Sequence, residues 1–371
     1  MRLETAVPAE ILKAVRAPFV GAGGEIVSTP IAEPLSLYLD LAGETLRERL
    51  FLVQGPGREE FCLRPDFTLG VTLAHIASGA PSGLYAYEGP AFRVAPPGSD
   101  RAEQFLQIGL ESYEAGDAPL ADAAMASLAW RAAAAGGRDD LTLTFGDVAL
   151  FGAFLSAVGV APAVATRLKA AFSRPSRLGR ELDGGQTGVP ASGRLADLLV
   201  GLDEARAGEV LEEIWTLAGI EPVGGRGAGE IVHRLTARAA VGAAPRLKPA
   251  ERDAIAGYLA IADEPRAALA AIADLASGAA LDLALETWER RAAALSAVPA
   301  GRMRLVTSFH RPFGYYDGVL FEVRSAALAE DETVAAGGRY DGLPARLGAP
   351  LATGAVGCMV RPARAWRGGK A

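Results

Sequence analysis

The sequence is poor in the residues that covalent staples and metal centres need. Its 371 residues include two cysteines, Cys62 and Cys358, and three histidines, His75, His233 and His310. Two cysteines cannot build a disulfide framework or a four-cysteine zinc site, and the histidines are too scattered for a metal cluster. Both cysteines lie in apolar, strand-like runs, which favours buried free thiols. We therefore predict no metal and no cofactor, and we interpret the histidines as structural.

Basic charge and long apolar runs are also scarce. The net charge is −7 and the pI about 5.3, whereas nucleic-acid-binding domains are usually basic, so we expect no nucleic-acid ligand. The first ten residues carry two acids and no apolar core, which argues against a secretory signal. The uncharged segment 148–166 is long enough to span a bilayer, but Gly159 and Pro162 break it into two predicted helices. We expect a cytoplasmic protein without a membrane contact.

The texture of the sequence changes twice along the chain. Residues 1–147 alternate short strands and helices, residues 148–300 are rich in alanine and leucine at helical spacing, and residues 301–371 return to strands and glycine turns. This order predicts one α+β domain in two halves, with a helical insertion between them. Helices are predicted at 8–17, 67–78, 162–173, 203–218, 228–240, 250–262 and 281–296, and strands at 25–30, 51–54, 60–65, 84–87, 91–95 and 104–114.

The strand at 104–113 carries the first candidate site. Successive side chains of a strand point to opposite faces of the sheet. The leucines and the isoleucine of this strand share one face, whereas Gln107, Gly109 and Glu111 share the other. A glycine between two polar residues leaves room for a ligand on the strand. A polar stripe that faces solvent is the plainer interpretation.

Three further stretches each allow a functional and a plainer interpretation. Arg93 alternates with apolar neighbours, and its guanidinium suits a carboxylate or phosphate, although it could be an ordinary surface arginine. Asp66 and Thr68 lie where a strand gives way to a helix, so they could cap that helix or meet an ammonium group. Gly337 and Gly338 suggest a turn where the backbone comes close to a ligand.

The order of these motifs resembles that of class II aminoacyl-tRNA synthetases. The matching stretches are Gly24–Glu33 for motif 1, Leu63–Thr68 with Phe92, Arg93 and 101–111 for motif 2 of histidyl-tRNA synthetase, Arg311–Tyr316 for its Arg-Gly-Leu-Asp-Tyr-Tyr signature, and Gly337–Gly342 for its second histidine motif. The resemblance covers residues 8–145 and 302–360 and skips the helical insertion.

The resemblance implies a mostly antiparallel sheet flanked by helices, a dimer formed through motif 1, and a histidine pocket. In that pocket, Asp66, Thr68 and Gln107 would hold the α-amino group, Arg93 and Arg311 the carboxylate, and Glu111 and Tyr316 the imidazole, with Tyr315 and Tyr340 as walls. A carboxylate can accept the imidazole N–H, and a phenol can bond to the other ring nitrogen.

The chain departs from the synthetase pattern where ATP and tRNA would bind. Ala95 stands in place of a glutamate, Glu103 of an arginine and Gly314 of an aspartate, and Arg361-Pro362 follows the last strand where motif 3 would continue. The sequence runs only ten residues past Arg361, so we expect no anticodon-binding domain. The histidine pocket is thus predicted to be retained, and the ATP and tRNA sites to be lost.

This combination resembles the regulatory subunits that accompany the short form of ATP phosphoribosyltransferase. The Leu-Arg-Pro-Asp-Phe-Thr stretch at 63–68 is also similar to that family. The resemblance implies a non-catalytic protein that joins short-form catalytic subunits in a hetero-octamer and helps L-histidine act as feedback inhibitor of the first step of histidine biosynthesis. Two alternatives stay open: a truncated enzyme that makes histidyl-adenylate, and a pseudo-synthetase module that senses uncharged tRNA.

Overall fold

A computed structural model describes residues 1–42, 44–114, 116–183, 202–218, 232, 246–299, 301–311, 314–329, 331–349 and 354–369. The chain divides into two compact units. The larger unit comprises Met1–Ala157 and Ala254–Ala371, and the smaller unit comprises Val158–Asp253. The described helices of the smaller unit are Pro162–Phe172, Pro175–Leu182 and Glu204–Ala218, together with the first five residues of the helix Pro249–Leu259. All residues of the candidate site lie in the larger unit.

The larger unit contains both strands and helices, whereas the described elements of the smaller unit are helices. The helices of the described residues are α1 (Ala9–Ala22), α2 (Leu35–Ala42), α3 (Thr68–Ser78), α4 (Ala118–Ala134), α5 (Val148–Ala157), α6 (Pro162–Phe172), α7 (Pro175–Leu182), α8 (Glu204–Ala218), α9 (Pro249–Leu259), α10 (Pro265–Leu275), α11 (Ala279–Ala294), α12 (Gly342–Arg346) and α13 (Pro362–Ala365). The strands are β1 (Glu25–Ile26), β2 (Ala32–Pro34), β3 (Leu52–Gln54), β4 (Glu60–Leu63), β5 (Gly83–Phe92), β6 (Gln104–Tyr113), β7 (Leu141–Asp147), β8 (Ala262–Asp263), β9 (Met303–Val306), β10 (Val319–Ser325), β11 (Ala335–Arg339) and β12 (Ala355–Val360).

One nine-stranded sheet organises the larger unit. Its order is β1-β5-β6-β12-β11-β10-β7-β9-β8, and its neighbours are antiparallel except for the pairs β1–β5 and β7–β9. In the central register, Gly109 of β6 lies opposite Tyr87 of β5, and Glu111 of β6 lies opposite Gly357 of β12. This register places the polar face of β6 in the middle of the sheet, where elements from both halves of the chain can cover it.

Helices pack against the large sheet, and the larger unit also contains a small second sheet. Helix α4 packs across β10, β11 and β12, while β2, β4 and β3 form a separate antiparallel sheet. A core cluster joins Leu69 and Val71 of α3 to Tyr85, Tyr113 and Tyr340. Each of these side chains is buried, so the polar groups near them are removed from bulk water.

The boundaries of the smaller unit differ from the predicted insertion at 148–300. Helix α5 buries Phe151 and Phe154, which pack against Tyr258, and α11 buries Trp288 against Phe145 of β7. These aromatic side chains cannot be left in solvent without a large loss of apolar burial. Helices at both ends of the predicted insertion therefore belong to the larger unit.

Several predicted elements also differ in detail. The strands predicted at 84–87 and 91–95 form one strand, β5, which continues through Pro90, and the strand predicted at 25–30 has two residues. Helices α2, α4, α7, α10 and α13 were not predicted. The predicted helix at 228–240 falls outside the described residues except at Val232. Gly337 and Gly338 lie inside β11 and not in a turn. Glycine is needed at both positions because neighbouring strands come too close for a side chain.

Candidate functional site

One cavity brings together all nine residues that the sequence analysis proposed for ligand binding, and its empty space is about 360 Å³ when the solvent at its mouth is included. They come from the junction before α3 (Asp66), the first residue of α3 (Thr68), the residue after β5 (Arg93), strand β6 (Gln107, Glu111), the segment before β10 (Arg311, Tyr315, Tyr316) and the residue after β11 (Tyr340). These positions are up to 274 residues apart in sequence (340 − 66), so the fold and not local structure assembles the site.

Glu111 lies at the buried end of this group, with 1% of its surface exposed. Three hydroxyl groups donate to its carboxylate. Thr68 Oγ1 is 2.8 Å and Tyr87 OH is 3.4 Å from Oε1, and Tyr340 OH donates to Oε2. The three donors come from α3, β5 and the end of β11, and they fix the orientation of the carboxylate.

Burial governs the protonation of this carboxylate. It raises the pKa of Glu111 to about 7, although the hydrogen bonds from Tyr340 and Thr68 oppose the shift. Asp66 shows the same pattern, because burial raises its pKa while Arg93 and the hydroxyl of Tyr315 lower it. At neutral pH, therefore, the Glu111 carboxyl can both hold and release a proton.

Several polar atoms in the cavity have no hydrogen-bond partner among the described residues. They are Asp66 Oδ1, both amide atoms of Gln107 and Nε of Arg311. Gln107 is completely buried, and Asp66 and Arg311 have exposed fractions of 6% and 9%. Leaving a buried polar atom unpaired costs about 1–3 kcal/mol. A set of such atoms lining one cavity is the arrangement expected of a site that a polar ligand completes.

Two guanidinium groups give one side of the cavity a positive charge. Arg93 Nε donates to the carbonyl oxygen of Pro65 at 2.9 Å, and Arg311 Nη1 donates to Glu322 Oε2 at 2.9 Å. Burial lowers the pKa of Arg93 to about 10, with Asp66 opposing the shift and Arg311 adding to it. The group remains charged at neutral pH, and the two cations together favour an anionic ligand group.

The plainer interpretations of the single motifs do not hold for β6, Arg93 and Thr68. The polar face of β6 is buried and is not a solvent-facing stripe. Arg93 is half-buried in the cavity wall, and the hydroxyl of Thr68 donates to Glu111 instead of capping α3. Asp66 accepts a hydrogen bond from the hydroxyl of Tyr315 at 3.3 Å, so this residue is also held by a contact inside the cavity.

Sequence reasoning missed Gly357, and it predicted space for a ligand beside Gly109 and Gly337, where protein atoms take up the space instead. A Cβ atom at Gly357 would lie 1.4 Å from Glu111 Oε2, and one at Gly109 would lie 2.2 Å from the hydroxyl of Tyr87. A Cβ at Gly337 would lie 2.1 Å from the carbonyl oxygen of Gly357. The cavity is also lined by Cys358 and Met359. Glycines in the interiors of neighbouring strands were the available signal, because they mark close approach of other groups.

Comparison with known proteins agrees with this geometry. The sequence profile described as Histidyl-tRNA synthetase matches residues 4–213 and 209–362. An ATP phosphoribosyltransferase regulatory subunit of Brucella anthropi is 33% identical over 348 residues, covering 91% of this chain and 92% of that protein. Its counterpart in Brucella canis is 34% identical over 359 residues, covering 94% of each chain.

The chain belongs to the ATP phosphoribosyltransferase regulatory subunit family. The fold is that of its structural relatives. A solved structure from Bacillus halodurans, described as an ATP phosphoribosyltransferase regulatory subunit/histidyl-tRNA synthetase, superposes with a TM-score of 0.66 at 18% identity. The superposition covers 97% of this chain and 78% of that one. The predicted class II synthetase-like α+β fold is therefore confirmed.

Three further features of this regulatory-subunit family member bear on the expectations from sequence. Cys62 and Cys358 are buried free thiols, as predicted. Among the described residues, no group of three or more His, Cys, Asp or Glu side chains is arranged to hold a metal ion. None of the helices in the same described part of the chain is both long and apolar enough to cross a membrane.

Proposed function

We propose that this chain is a non-catalytic regulatory subunit that binds L-histidine in the cavity and acts on the short-form catalytic subunit of ATP phosphoribosyltransferase. In this proposal it activates the catalytic subunit, joins it in a hetero-octamer and contributes to feedback inhibition by histidine. The names of the Brucella relatives support the partner. The unpartnered polar atoms of the cavity carry the assignment of the ligand.

The backbone groups of an amino acid match one part of the cavity. Asp66 Oδ1 and Gln107 Oε1 can accept hydrogen bonds from an ammonium group, and both atoms lack a partner among the described residues. Arg311 Nε, which also lacks one, can donate to a carboxylate beside Arg93. The opposite charges of the two ends of an α-amino acid are thereby met by opposite charges of the protein.

The imidazole ring matches the other part. Glu111 accepts hydrogen bonds through both carboxylate oxygens and can accept one more from a ring N–H. The hydroxyl of Tyr316 can bond to the second ring nitrogen, while the rings of Tyr315 and Tyr340 wall the space. A ring with two nitrogens near neutral basicity suits a carboxylate whose pKa is about 7.

The surroundings of Arg361 favour a regulatory over an adenylate-forming role. Its guanidinium is buried, pairs with Glu4 and stacks over Phe105 at 3.8 Å, so an ATP phosphate would have to compete with these contacts. Glu103 pairs with Arg2 where a synthetase would present an arginine. We therefore expect no histidine-dependent ATP–pyrophosphate exchange above a no-enzyme control. Steady exchange that disappears in Arg93→Ala would favour the adenylating alternative.

Exposed apolar side chains support self-association through the motif 1 region. Ile26 of β1 is 86% exposed, Ile31 is 49% exposed, and Leu52 of β3 is 48% exposed. Apolar side chains grouped near sheet edges are typical of surfaces that another chain covers. The proposal therefore includes a dimer, which light scattering of the purified chain would detect.

The decisive experiment measures assembly and histidine sensitivity separately. A regulator without chemistry of its own acts through different affinities for two states of its partner, and coupling is typically about 1–3 kcal/mol. The short catalytic chain should be weakly active alone, activated on adding this protein, and then inhibited by histidine. The double variant Arg93→Ala/Glu111→Ala should still assemble, because both side chains are inside the cavity, and should lose much of the inhibition.

A matched double variant controls for the loss of an arginine and a glutamate. Arg16→Ala/Glu88→Ala removes a surface ion pair with an N–O distance of 2.6 Å, outside the cavity, and should keep both assembly and inhibition. Full inhibition in the cavity double variant would place the inhibitory histidine site on the partner or at the interface. Failure of the wild-type chains to co-elute in size-exclusion chromatography would remove the regulatory assignment.

A further inference from the structure

Behind the carboxylate of Glu111, a line of hydroxyl groups leads into the core and is not used by the proposed histidine contacts. Tyr340 OH donates to Glu111 Oε2 and lies 3.5 Å from the hydroxyl of Tyr113. That hydroxyl lies 2.8 Å from Thr72 Oγ1, which donates in turn to the carbonyl oxygen of Thr68 at 2.7 Å. Tyr113 and Thr72 are both completely buried, so water does not substitute for these bonds.

The number of hydroxyl protons determines which group donates in each hydrogen bond of the line. Each hydroxyl carries one proton and can donate one hydrogen bond. Thr72 uses its proton on the carbonyl oxygen of Thr68, so the short contact with Tyr113 requires Tyr113 to be the donor. Tyr113 has then no proton left for Tyr340, and it can only accept one from it.

Two protonation states of Glu111 therefore give two different networks. When Glu111 carries a proton on Oε2, it can donate to Tyr340, which donates to Tyr113, and every bond in the line holds one proton. When Glu111 is ionised, Tyr340 donates to the carboxylate, and the Tyr340–Tyr113 contact holds none. Ionisation of Glu111 therefore costs the contact between Tyr340 and Tyr113, and this loss offsets part of the stabilisation that the hydroxyl of Tyr340 gives the carboxylate.

The ring of Tyr113 cannot easily turn away from this line. It stacks on His75 with a centroid distance of 4.2 Å, and Nδ1 of His75 is 3.1 Å from the hydroxyl of Tyr85. The titratable groups that face Glu111 from the surrounding elements are Asp66, Tyr87, Tyr113, Tyr316, Tyr340 and Cys358. Burial raises the pKa of the tyrosines and of the cysteine, so they stay neutral and Asp66 is the other acid that matters.

We infer that Tyr113 and Thr72 are positioning residues that couple histidine binding to the transfer of one proton from Glu111 to the imidazole ring. The inference rests on the proposed histidine site. On binding, the O–H bond of Glu111 breaks and an N–H bond forms on the neutral imidazole, which leaves a carboxylate–imidazolium pair. Tyr340 then turns its proton from Tyr113 to Glu111, and a protein molecule that starts with Glu111 protonated exchanges no proton with the solvent. The site thereby selects a side chain that can accept a proton near neutral pH.

Calorimetry of the full chain with L-histidine, at about pH 7 in buffers of different ionisation enthalpy, tests the coupling. Tyr113→Phe and Thr72→Val each remove the contact that is lost when Glu111 ionises, so the carboxyl of the empty variants should be more ionised than in wild type. Histidine binding should then take up more protons from the buffer, by up to about half a proton, because wild-type Glu111 is about half-protonated at this pH. Tyr258→Phe is the matched control, because it removes a buried hydroxyl that has no partner among the described residues. It should leave proton uptake unchanged, whereas a purely structural role of Tyr113 would weaken binding without changing the uptake.

A second measurement separates this inference from the proposed function. Infrared titration of the ligand-free protein can follow the carboxyl signal of Glu111, assigned by its absence in Glu111→Gln. Its midpoint should lie near pH 7 in wild type and lower in Tyr113→Phe. Wild-type protein that fails to bind histidine would refute the proposed function. The titration of the ligand-free protein would still show whether Tyr113 influences the protonation of Glu111. The inference would be overturned by an unchanged midpoint in Tyr113→Phe, or by unchanged proton uptake in both Tyr113→Phe and Thr72→Val.

Discussion

Replacing Glu111 by glutamine should weaken histidine binding and stabilise the empty protein. The substitution keeps the size of the side chain and removes its charge. Glu111 is held by the hydroxyls of Thr68, Tyr87 and Tyr340, which can reverse and accept from the amide, so the cavity should keep its shape. The two effects have opposite signs, and together they distinguish a ligand-binding acid from a structural one.

The loss of affinity follows from the charged hydrogen bond. A hydrogen bond to a charged group contributes about 1.5–3 kcal/mol, which corresponds to a loss of roughly 10- to 150-fold in the dissociation constant of histidine. Glutamine can still accept from a ring N–H, but it forms no ion pair with an imidazolium. We therefore expect the affinity of Glu111→Gln to fall by at least about tenfold.

The gain in stability follows from the raised pKa of Glu111. Its pKa is about 7 in the folded protein and about 4.3 in an unfolded chain, so the folded wild type binds more protons between these values. The stability of wild type therefore falls as pH rises through this window, at up to about 1.4 kcal/mol per pH unit and about 3–4 kcal/mol in all. Glutamine does not ionise. The variant should match wild type below about pH 4 and exceed it above pH 7.

Urea denaturation between about pH 4 and 8 measures the stability difference, and calorimetry measures the histidine affinity. Glu33→Gln is the matched control. Glu33 is 3% exposed, burial raises its pKa to about 7, and it does not line the cavity. This control should show the same pH-dependent stabilisation with unchanged histidine affinity. If Glu111→Gln bound histidine as tightly as wild type, or its stability difference did not change with pH, the assignment of Glu111 would be wrong.

Two further substitutions test how the cavity is built. Gly357→Ala would put a Cβ atom 1.4 Å from Glu111 Oε2, so we expect about 1–3 kcal/mol of destabilisation and a loss of histidine binding in calorimetry, whereas Gly21→Ala in α1 has open space and should be tolerated. Gln107→Leu removes two unpartnered buried atoms, so thermal or urea denaturation should show the empty protein about 1 kcal/mol more stable, with weaker histidine binding. A Gln107→Leu protein that is less stable and binds normally would contradict the role of Gln107.

Local sequence patterns correctly predicted several elements of the fold. Alternation in 104–113 predicted a strand with two distinct faces, and β6 spans Gln104–Tyr113. The break at Gly159 and Pro162 predicted two helices, and α5 and α6 end and begin beside it. These predictions succeed because hydrogen-bond periodicity and the conformational limits of glycine and proline act over a few residues.

Local sequence patterns could not predict the boundaries between the larger and the smaller unit. The alanine-rich texture that begins at residue 148 says that helices follow, but not what they pack against. Helices α5 and α11 join the larger unit because Phe154 and Trp288 find aromatic partners there that are distant in sequence. Helical spacing is the same for a helix of either unit, so the texture alone could not separate them.

The residues of the candidate site were predicted from the order of motifs, and the sequence by itself determined which chemical groups are available to the cavity. Only the tertiary structure decided their environment. The polar face of β6 is buried because Thr68, 43 positions from Glu111, and Tyr340, 229 positions from it, close over the carboxylate. Burial, unpaired atoms and the line of hydroxyls through Tyr113 depend on contacts between distant segments. Such contacts do not show in the periodicity of the sequence, because each segment has the same local sequence pattern whether or not its distant partner is present.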